Sequence, residues 1–395
     1  MILSNELKNQ ILHRVADCIR DRKAQILSAN KEDVVRYDGG DQAMLDRLKV
    51  DDVKIDGMIQ ALETVASKPD PIGIVRDEFE HPNGMKVFNK TFPFGTIMII
   101  YESRPDVTIE AAAIAFKTGN KILLKGGKEA INSNLALVGC WHEALSFYGL
   151  DPDWVSYLKL SRTETQQFLK DNHNSMDLIV PRGGEKLISF VREHATCPVL
   201  VSGRGNNFLY IDREADPSQA IKVVLNAKAS KISACNALDK VLVDTNHPDF
   251  KNLVRDLVSN LKESNVEVLF GKGLSQNGDS FASEDDWKEE FLELKIVVGT
   301  VNSLSEAVEQ INRFSGGHSA SIITRNSEKA SEFMDLVDCA AVYHNCSTRF
   351  TDGGEFGMGA ELAISTEKLH HRGPLGLEQL VTNKYYVFGS GQVRE

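Results

Sequence analysis

No two of the six cysteines (Cys18, Cys140, Cys197, Cys235, Cys339 and Cys346) form a CxxC pair, and none has zinc-ligand spacing. The simplest expectation is six thiols in a reducing cytoplasm, with no metal. No stretch approaches the roughly 18 apolar residues of a membrane span. No block of Lys and Arg occurs: 45 basic against 56 acidic residues leave a net charge of −11. That argues against non-specific nucleic-acid binding and against a polybasic membrane surface, though not against a local basic pocket for a small anion. Low-complexity tracts and internal repeats are missing as well. Residues 1–35 carry a charged amphipathic helix pattern (Leu7, Ile11, Leu12, Val15, Ile19) rather than a signal peptide. What remains is a chain of 395 residues, 42% hydrophobic and 26% charged, long enough for two or three domains.

Periodicity gives the organisation. Helical patterns over 4–34 and 51–67 end at Pro69 and Pro71, and a hairpin follows with its Pro-Asn-Gly turn at 82–84. From residue 94 apolar runs alternate with helical patterns, including strands at 95–101, 121–125, 177–180, 199–201 and 207–212. A second alternating region begins at residue 216 with a helix signalled by Asp216 as N-cap and Pro217 at its first position. Residues 345–395 are rich in Gly and polar residues and end in a strand-like run at 384–388. Such βαβ alternation predicts two α/β domains, each with a mostly parallel sheet covered on both faces.

Cys235 stands out because small and polar residues surround it, near the expected junction of the two regions. Its flank, Asn226 to Ala237, puts Lys228 and Lys231 where they would favour a thiolate. Against this stands the ordinary alternative for a lone cysteine, a small buried hydrophobe. Two strands run into Gly-Gly turns followed by helices, at Lys125-Gly-Gly-Lys128 and at Arg182-Gly183-Gly184, an arrangement suited to phosphate although neither fits GxGxxG or a P-loop. Arg104 follows the most apolar strand, and Ser347-Thr348-Arg349 follows another, so both are candidates for a phosphate or carboxylate. Glu361 adds a carboxylate in flexible backbone. The adjacent His370 and His371 have no third ligand at suitable spacing and read as solvent-facing.

Together the strings YESRPDVT, LLKGGKEAINSN, DLIVPRGGEKLI, INRFSGGH, NCSTRFTDG and GAELAISTEKLHHRGPLGLE resemble the gamma-glutamyl phosphate reductases, a branch of the aldehyde dehydrogenase superfamily, along the whole chain. The resemblance implies an aldehyde-dehydrogenase-like fold: two Rossmann-like α/β domains plus a small oligomerisation element. It assigns 1–77 and 94–215 to an NADP-binding domain and 216–350 to a catalytic domain. Residues 78–93 and 375–395 form the oligomerisation element, with 351–374 as a return segment at the substrate site.

It further implies NADPH-dependent reduction of L-glutamyl 5-phosphate to L-glutamate 5-semialdehyde, a step of proline biosynthesis, by a stand-alone reductase. The exposed edges of the oligomerisation element predict a homo-oligomer, and the resemblance extends to channelling from a glutamate 5-kinase. Cys235 takes the nucleophile position, with Ser103 near the oxyanion. Arg104, Ser347, Thr348 and Arg349 are assigned to the substrate's anions, and Glu361 to its ammonium. Lys125, Gly183, Gly184 and Glu290 are assigned to the cofactor, Glu290 having the alternative of an exposed helix carboxylate. The segment Val201 to Asn207 lacks the water-activating Glu of hydrolytic relatives. This sequence departs from the family at Asn207 and Phe208, at Ala229-Ser230-Lys231 and at Cys346. The rival readings are a reductase of a related acyl phosphate and a catalytically silent binding homologue.

Overall fold

The computed structural model describes residues 2–40, 42–171, 176–232, 234–271, 273–274 and 280–394. Four helices come first: α1 (Asn5–Asp21), α2 (Lys23–Arg36), α3 (Gln42–Leu48) and α4 (Asp52–Ser67). The Ser4 hydroxyl accepts from Leu7 N–H to start α1, and Asp51 accepts from Lys54 N–H to start α4. The single helix expected over 4–34 is broken at Arg22, whose backbone leaves the helical region (φ −99°, ψ 13°). The break lets α1 pack on α4 and α6 while α2 packs mainly on α6, with smaller contacts to α1 and α3. A hairpin follows, β1 (Val75–Glu80) and β2 (Lys86–Pro93), turning where predicted, with Gly84 at φ 84°.

Next come β3 (Thr96–Tyr101), α5 (Pro105–Lys117), β4 (Lys121–Lys125), α6 (Ile131–Phe147), β5 (Val155–Tyr157), α7 (Arg162–Asp171), β6 (Leu178–Arg182) and α8 (Glu185–His194). The second series opens with β7 (Asn207–Ile211), α9 (Pro217–Ala229), β8 (Leu238–Asp244), α10 (Phe250–Glu263), β9 (Glu267–Phe270) and α11 (Glu284–Lys288). It continues with β10 (Lys295–Val301), α12 (Leu304–Phe314), β11 (Ser319–Ile323), α13 (Ser327–Leu336) and β12 (Ala341–His344). Two-residue strands β13 (Ile364–Ser365) and β14 (Gly373–Pro374) precede the last strand, β15 (Val381–Phe388).

The chain folds as two units. The first comprises 1–201, 357–363 and 375–395. Its parallel sheet has the order β5-β4-β3-β6. Alternate residues serve opposite faces: Ile97, Ile99, Ile122 and Leu124 pack with the helices α1, α4, α5 and α6, whereas Met98, Ile100, Leu123 and Ile179 pack with residues of α7 and α8. A separate antiparallel sheet, β1-β2-β15, joins the hairpin to the last strand. The strand expected over 199–201 is reduced to one bridge, Ile179 to Val199.

The second unit comprises 202–356 and 364–374, around a six-stranded parallel sheet ordered β12-β11-β7-β8-β10-β9. The boundary therefore falls at 201/202 and not at 215/216. β7 pairs with β8 and β11, and it places Leu209 and Ile211 in one core and Phe208 and Tyr210 in the other. Helices α9 and α10 cover the first face, and α12 and α13 the second. The return segment is divided, 357–363 going to the first unit and 364–374 to the second. Among the described residues no helix is long and apolar enough to cross a membrane.

Candidate active site

In the second unit the candidate nucleophile Cys235 lies on a turn. Asp216 caps α9 by accepting from Gln219 N–H at 3.0 Å, and the helix ends at Ala229, so the half-buried Cys235 lies in the turn beyond it. Three buried side chains hold this turn, Asn207 and Thr348 by its backbone and Asn236 from within it. The Asn207 amide nitrogen reaches the carbonyls of Gly205 (2.7 Å), Cys235 (2.8 Å) and Ala237 (2.7 Å). Asn236 donates to the carbonyls of Arg349 (3.1 Å) and Thr351 (2.9 Å), and the Thr348 hydroxyl donates to Asn236 O at 2.8 Å. A Cβ at Gly205 would lie 1.9 Å from Cys235 O, so the approach of these two backbones requires glycine.

Two expectations change here. Lys228 does not serve the thiol: it is buried and paired with Asp239 at 2.9 Å, while Lys231 is exposed. Thr348 is a brace of the Cys235 turn, since its only hydroxyl proton is donated to Asn236 O inside the core. The departure at Asn207 acquires a role as the central staple, and Phe208 is a core residue stacked on Trp287 at 6.2 Å. Removing the staple with Asn207→Ala takes away the two N–H groups that these three carbonyls share. The expected loss is about 3 kcal/mol of unfolding free energy, read from urea denaturation.

Arg349 is the candidate anion-binding cation beside this turn. Its Nε donates to the Ser230 hydroxyl at 3.3 Å, and its buried Nη1 meets no hydrogen-bond partner among the described residues. Ser347 is buried, its hydroxyl accepting from Arg349 N–H at 3.3 Å. Glu290 is half-buried in coil after α11, and so is not the exposed helix carboxylate that was its alternative.

In the first unit the parallel register sets the site. Ile100 lies beside Lys125 and Tyr101 beside Arg182, so Glu102, Ser103, Arg104, Lys125, Gly183 and Gly184 collect at the carboxyl ends of β3, β4 and β6. The Ser103 hydroxyl is buried and donates to Glu129 at 3.3 Å, which is not the open placement an oxyanion donor needs. Arg104 pairs with Asp106 at 2.6 Å. Lys125 donates to Gly126 O at 2.9 Å, and burial lowers its pKa. Glu361 is half-buried beside Leu362, whose carbonyl accepts from Arg182 Nη1.

Gly184 caps the N-terminus of α8, and its N–H donates to the Glu102 carboxylate at 3.1 Å. That carboxylate is a stand-in for an anion: the helix end accepts negative charge, as a cofactor phosphate requires. The groups present therefore fit a dinucleotide, with Lys125 for a ribose or its phosphate.

The sequence reading missed Glu110. It lies four residues after Asp106 on α5, and that spacing on one helix face was the available signal. Burial, then Asp106, pushes its carboxyl up to about 7 against the attraction of Arg182 and Arg104, with Glu361 adding to the rise. A carboxyl whose folded pKa is raised holds its proton in the native state after the unfolded chain has ionised. Its contribution to stability therefore falls as pH rises from about 4.5 to about 7. Glu110→Gln is expected to match the parent at pH 4 and exceed it at pH 8, measured by denaturant midpoints.

The aldehyde dehydrogenase family model matches residues 3–272 and 287–360. A gamma-glutamyl phosphate reductase of Lachnospira eligens is 42% identical over 394 residues, covering 98% of this chain and 94% of that one. The crystal structure of gamma-glutamyl phosphate reductase from Thermotoga maritima has a TM-score of 0.94 at 41% identity, covering 100% of this chain and 95% of that one. An engineered glycolyl-CoA reductase with bound NADP+ shares the fold, with a TM-score of 0.68 at 15% identity over 98% and 92% of the two chains.

Proposed function

The chain belongs to the aldehyde dehydrogenase family, within its gamma-glutamyl phosphate reductases, and from that premise we propose how its residues divide the reduction of L-glutamyl 5-phosphate. The observation that carries the proposal is the turn at Cys235, fixed by Asn207 and Thr348 through its backbone and by the Asn236 side chain, while Cys235 stays half-buried. A nucleophile needs this combination of rigidity and access.

The Cys235 thiolate attacks the acyl carbon, the C–O bond to phosphate breaks, and a thioester remains on sulfur. NADPH, held as described below, would supply a hydride to that carbon. The resulting thiohemiacetal oxyanion collapses, the C–S bond breaks, and the aldehyde leaves with the thiolate restored. The Cys235 backbone N–H is the oxyanion donor in this scheme. Ser103, already donated to Glu129, shapes the segment leading to Arg104.

Arg349 binds the phosphate, with Ser347 beside it. Arg104 binds the α-carboxylate, and Glu361 with Glu110 the α-ammonium, since a zwitterion needs both signs of charge together. An acylated nitrogen carries no charge and would leave these carboxylates unanswered. Gly183 and Gly184 receive the pyrophosphate, Lys125 the adenosine ribose or its 2′-phosphate, and Glu290 the nicotinamide ribose.

The physiological setting follows as part of the same reading: a cytoplasmic step of proline biosynthesis, supplied with its labile acyl phosphate by a glutamate 5-kinase. The exposed strand β1, together with exposed Phe79, Tyr385, Val387 and Phe388 in its sheet, calls for pairing in a homo-oligomer. The deciding assay runs backwards, as oxidation of glutamate 5-semialdehyde with NADP. A rate that depends on inorganic phosphate supports the reading, and no rate with NADP or NAD refutes it.

A further inference from the structure

On either side of Glu290 the chain is tied to a cluster of three buried ionisable side chains of the second unit. Lys228 and Lys240 are both fully buried, and Asp239 is 2% exposed. Lys228 lies on α9, and its ammonium meets Asp239 at 2.9 Å. The other Asp239 oxygen accepts from the backbone N–H of Phe291 at 3.3 Å. Lys240, the next residue on β8, points its ammonium at the carbonyl of Glu289, 2.8 Å away, and stands 3.9 Å from the centre of the Phe291 ring. Lys295 on β10 approaches the same ring at 5.3 Å, and Asp286 and Glu289 supply the remaining charges around Lys240.

The backbone groups on both sides of Glu290 are therefore tied to adjacent residues of one central strand. Replacing buried ion pairs with apolar residues of similar volume is often neutral or stabilising, so this cluster gives little reason to exist for stability alone. Burial pulls Lys240 down to about 7, in keeping with a group held at a cost. What the cluster does provide is a fixed position for the peptide that carries Glu290, through a hydrogen bond to residue 289, another to residue 291 and a cation over the ring.

We propose that Lys240, with Asp239, is a positioning residue for cofactor binding: it holds the 289–291 segment so that the Glu290 carboxylate meets the nicotinamide ribose. The inference rests on the role proposed for Glu290, and the experiment separates the two. NADPH affinity is measured at equilibrium from the fluorescence of the reduced nicotinamide, without a second substrate, for the parent and for Glu290→Gln, Lys240→Met and Phe291→Leu. The double variants Lys240→Met/Glu290→Gln and Phe291→Leu/Glu290→Gln complete two cycles.

Each single change is expected to weaken NADPH about tenfold, the loss of one charge-assisted contact. Neither Lys240→Met nor Phe291→Leu should change the KM for phosphate in the reverse reaction. Each double variant should bind no worse than Glu290→Gln alone, because Lys240 and Phe291 act only through that carboxylate. Additive losses, or parent-like affinity in both Lys240→Met and Phe291→Leu, overturn the positioning role while leaving Glu290 in place. Parent-like affinity in Glu290→Gln itself removes the role of that carboxylate and the inference with it.

Discussion

Cys235→Ala is expected to lose at least about 10⁴-fold of the phosphate-dependent oxidation of glutamate 5-semialdehyde while keeping its fold and its NADPH affinity. The size follows from covalent catalysis. Without sulfur there is no thiohemiacetal to give up hydride and no thioester for phosphate to attack, so both halves of the reaction lose their common intermediate. The fold survives because the contacts holding the turn are made to the carbonyls of residues 235 and 236, which alanine retains. Steady-state rates, with a thermal melt and an NADPH titration of the same preparation, give the answer. A variant that keeps more than about a hundredth of the rate would mean that another group forms the covalent bond or that none is formed.

Arg349→Gln is expected to raise the KM for inorganic phosphate about 100-fold in the reverse reaction and to leave the KM for the semialdehyde nearly unchanged. Arg104→Gln should do the opposite. The two arginines sit in different company. Arg349 presents a buried Nη1 with no hydrogen-bond partner among the described residues, on a segment joined to the Cys235 turn through Asn236 and Thr348. A buried cationic N–H that gains a phosphate oxygen gains a strong contact, and about 2.7 kcal/mol is 100-fold in affinity. Arg104 is already engaged with Asp106, near Glu110 and Glu361, in a mixed-sign cluster that matches the two charges on the α-carbon. The reverse direction makes the test clean because phosphate and the amino-acid aldehyde are separate substrates there. Should Arg349→Gln weaken the aldehyde and spare phosphate, the assignment is reversed.

The parts of this molecule written in local periodicity were legible. Strand β4 coincides with its sequence pattern, a helix follows Gly184 as expected, and the Pro-Asn-Gly turn lies where its residue types demand it. The break at Arg22 was not legible, because it follows from which partners α1 and α2 find far along the chain. The unit boundary was misplaced for a related reason. β7 looks like one more strand of the first series, and only its pairing with β8 and β11 assigns it to the second. Among site residues, sequence pattern identified side chains of the right chemistry but not what they would touch. Lys228 had a plausible place beside the thiol, yet Asp239 offers a closer and drier partner. Asn207 looked like a loss relative to the family pattern, and three converging carbonyls turn it into a structural necessity.

The carboxylate of Glu102 at the head of α8 has a kinetic consequence. On the cofactor reading above, a dinucleotide phosphate does not arrive at a bare helix end but exchanges with an anion that the protein carries itself. Arrival and departure then become a swap with little net change in charge. The tethered competitor limits how tightly the dinucleotide is held and shortens its stay. For an enzyme that must discard an oxidised carrier in every cycle, a resident competitor is a way to keep product release from becoming the slow step.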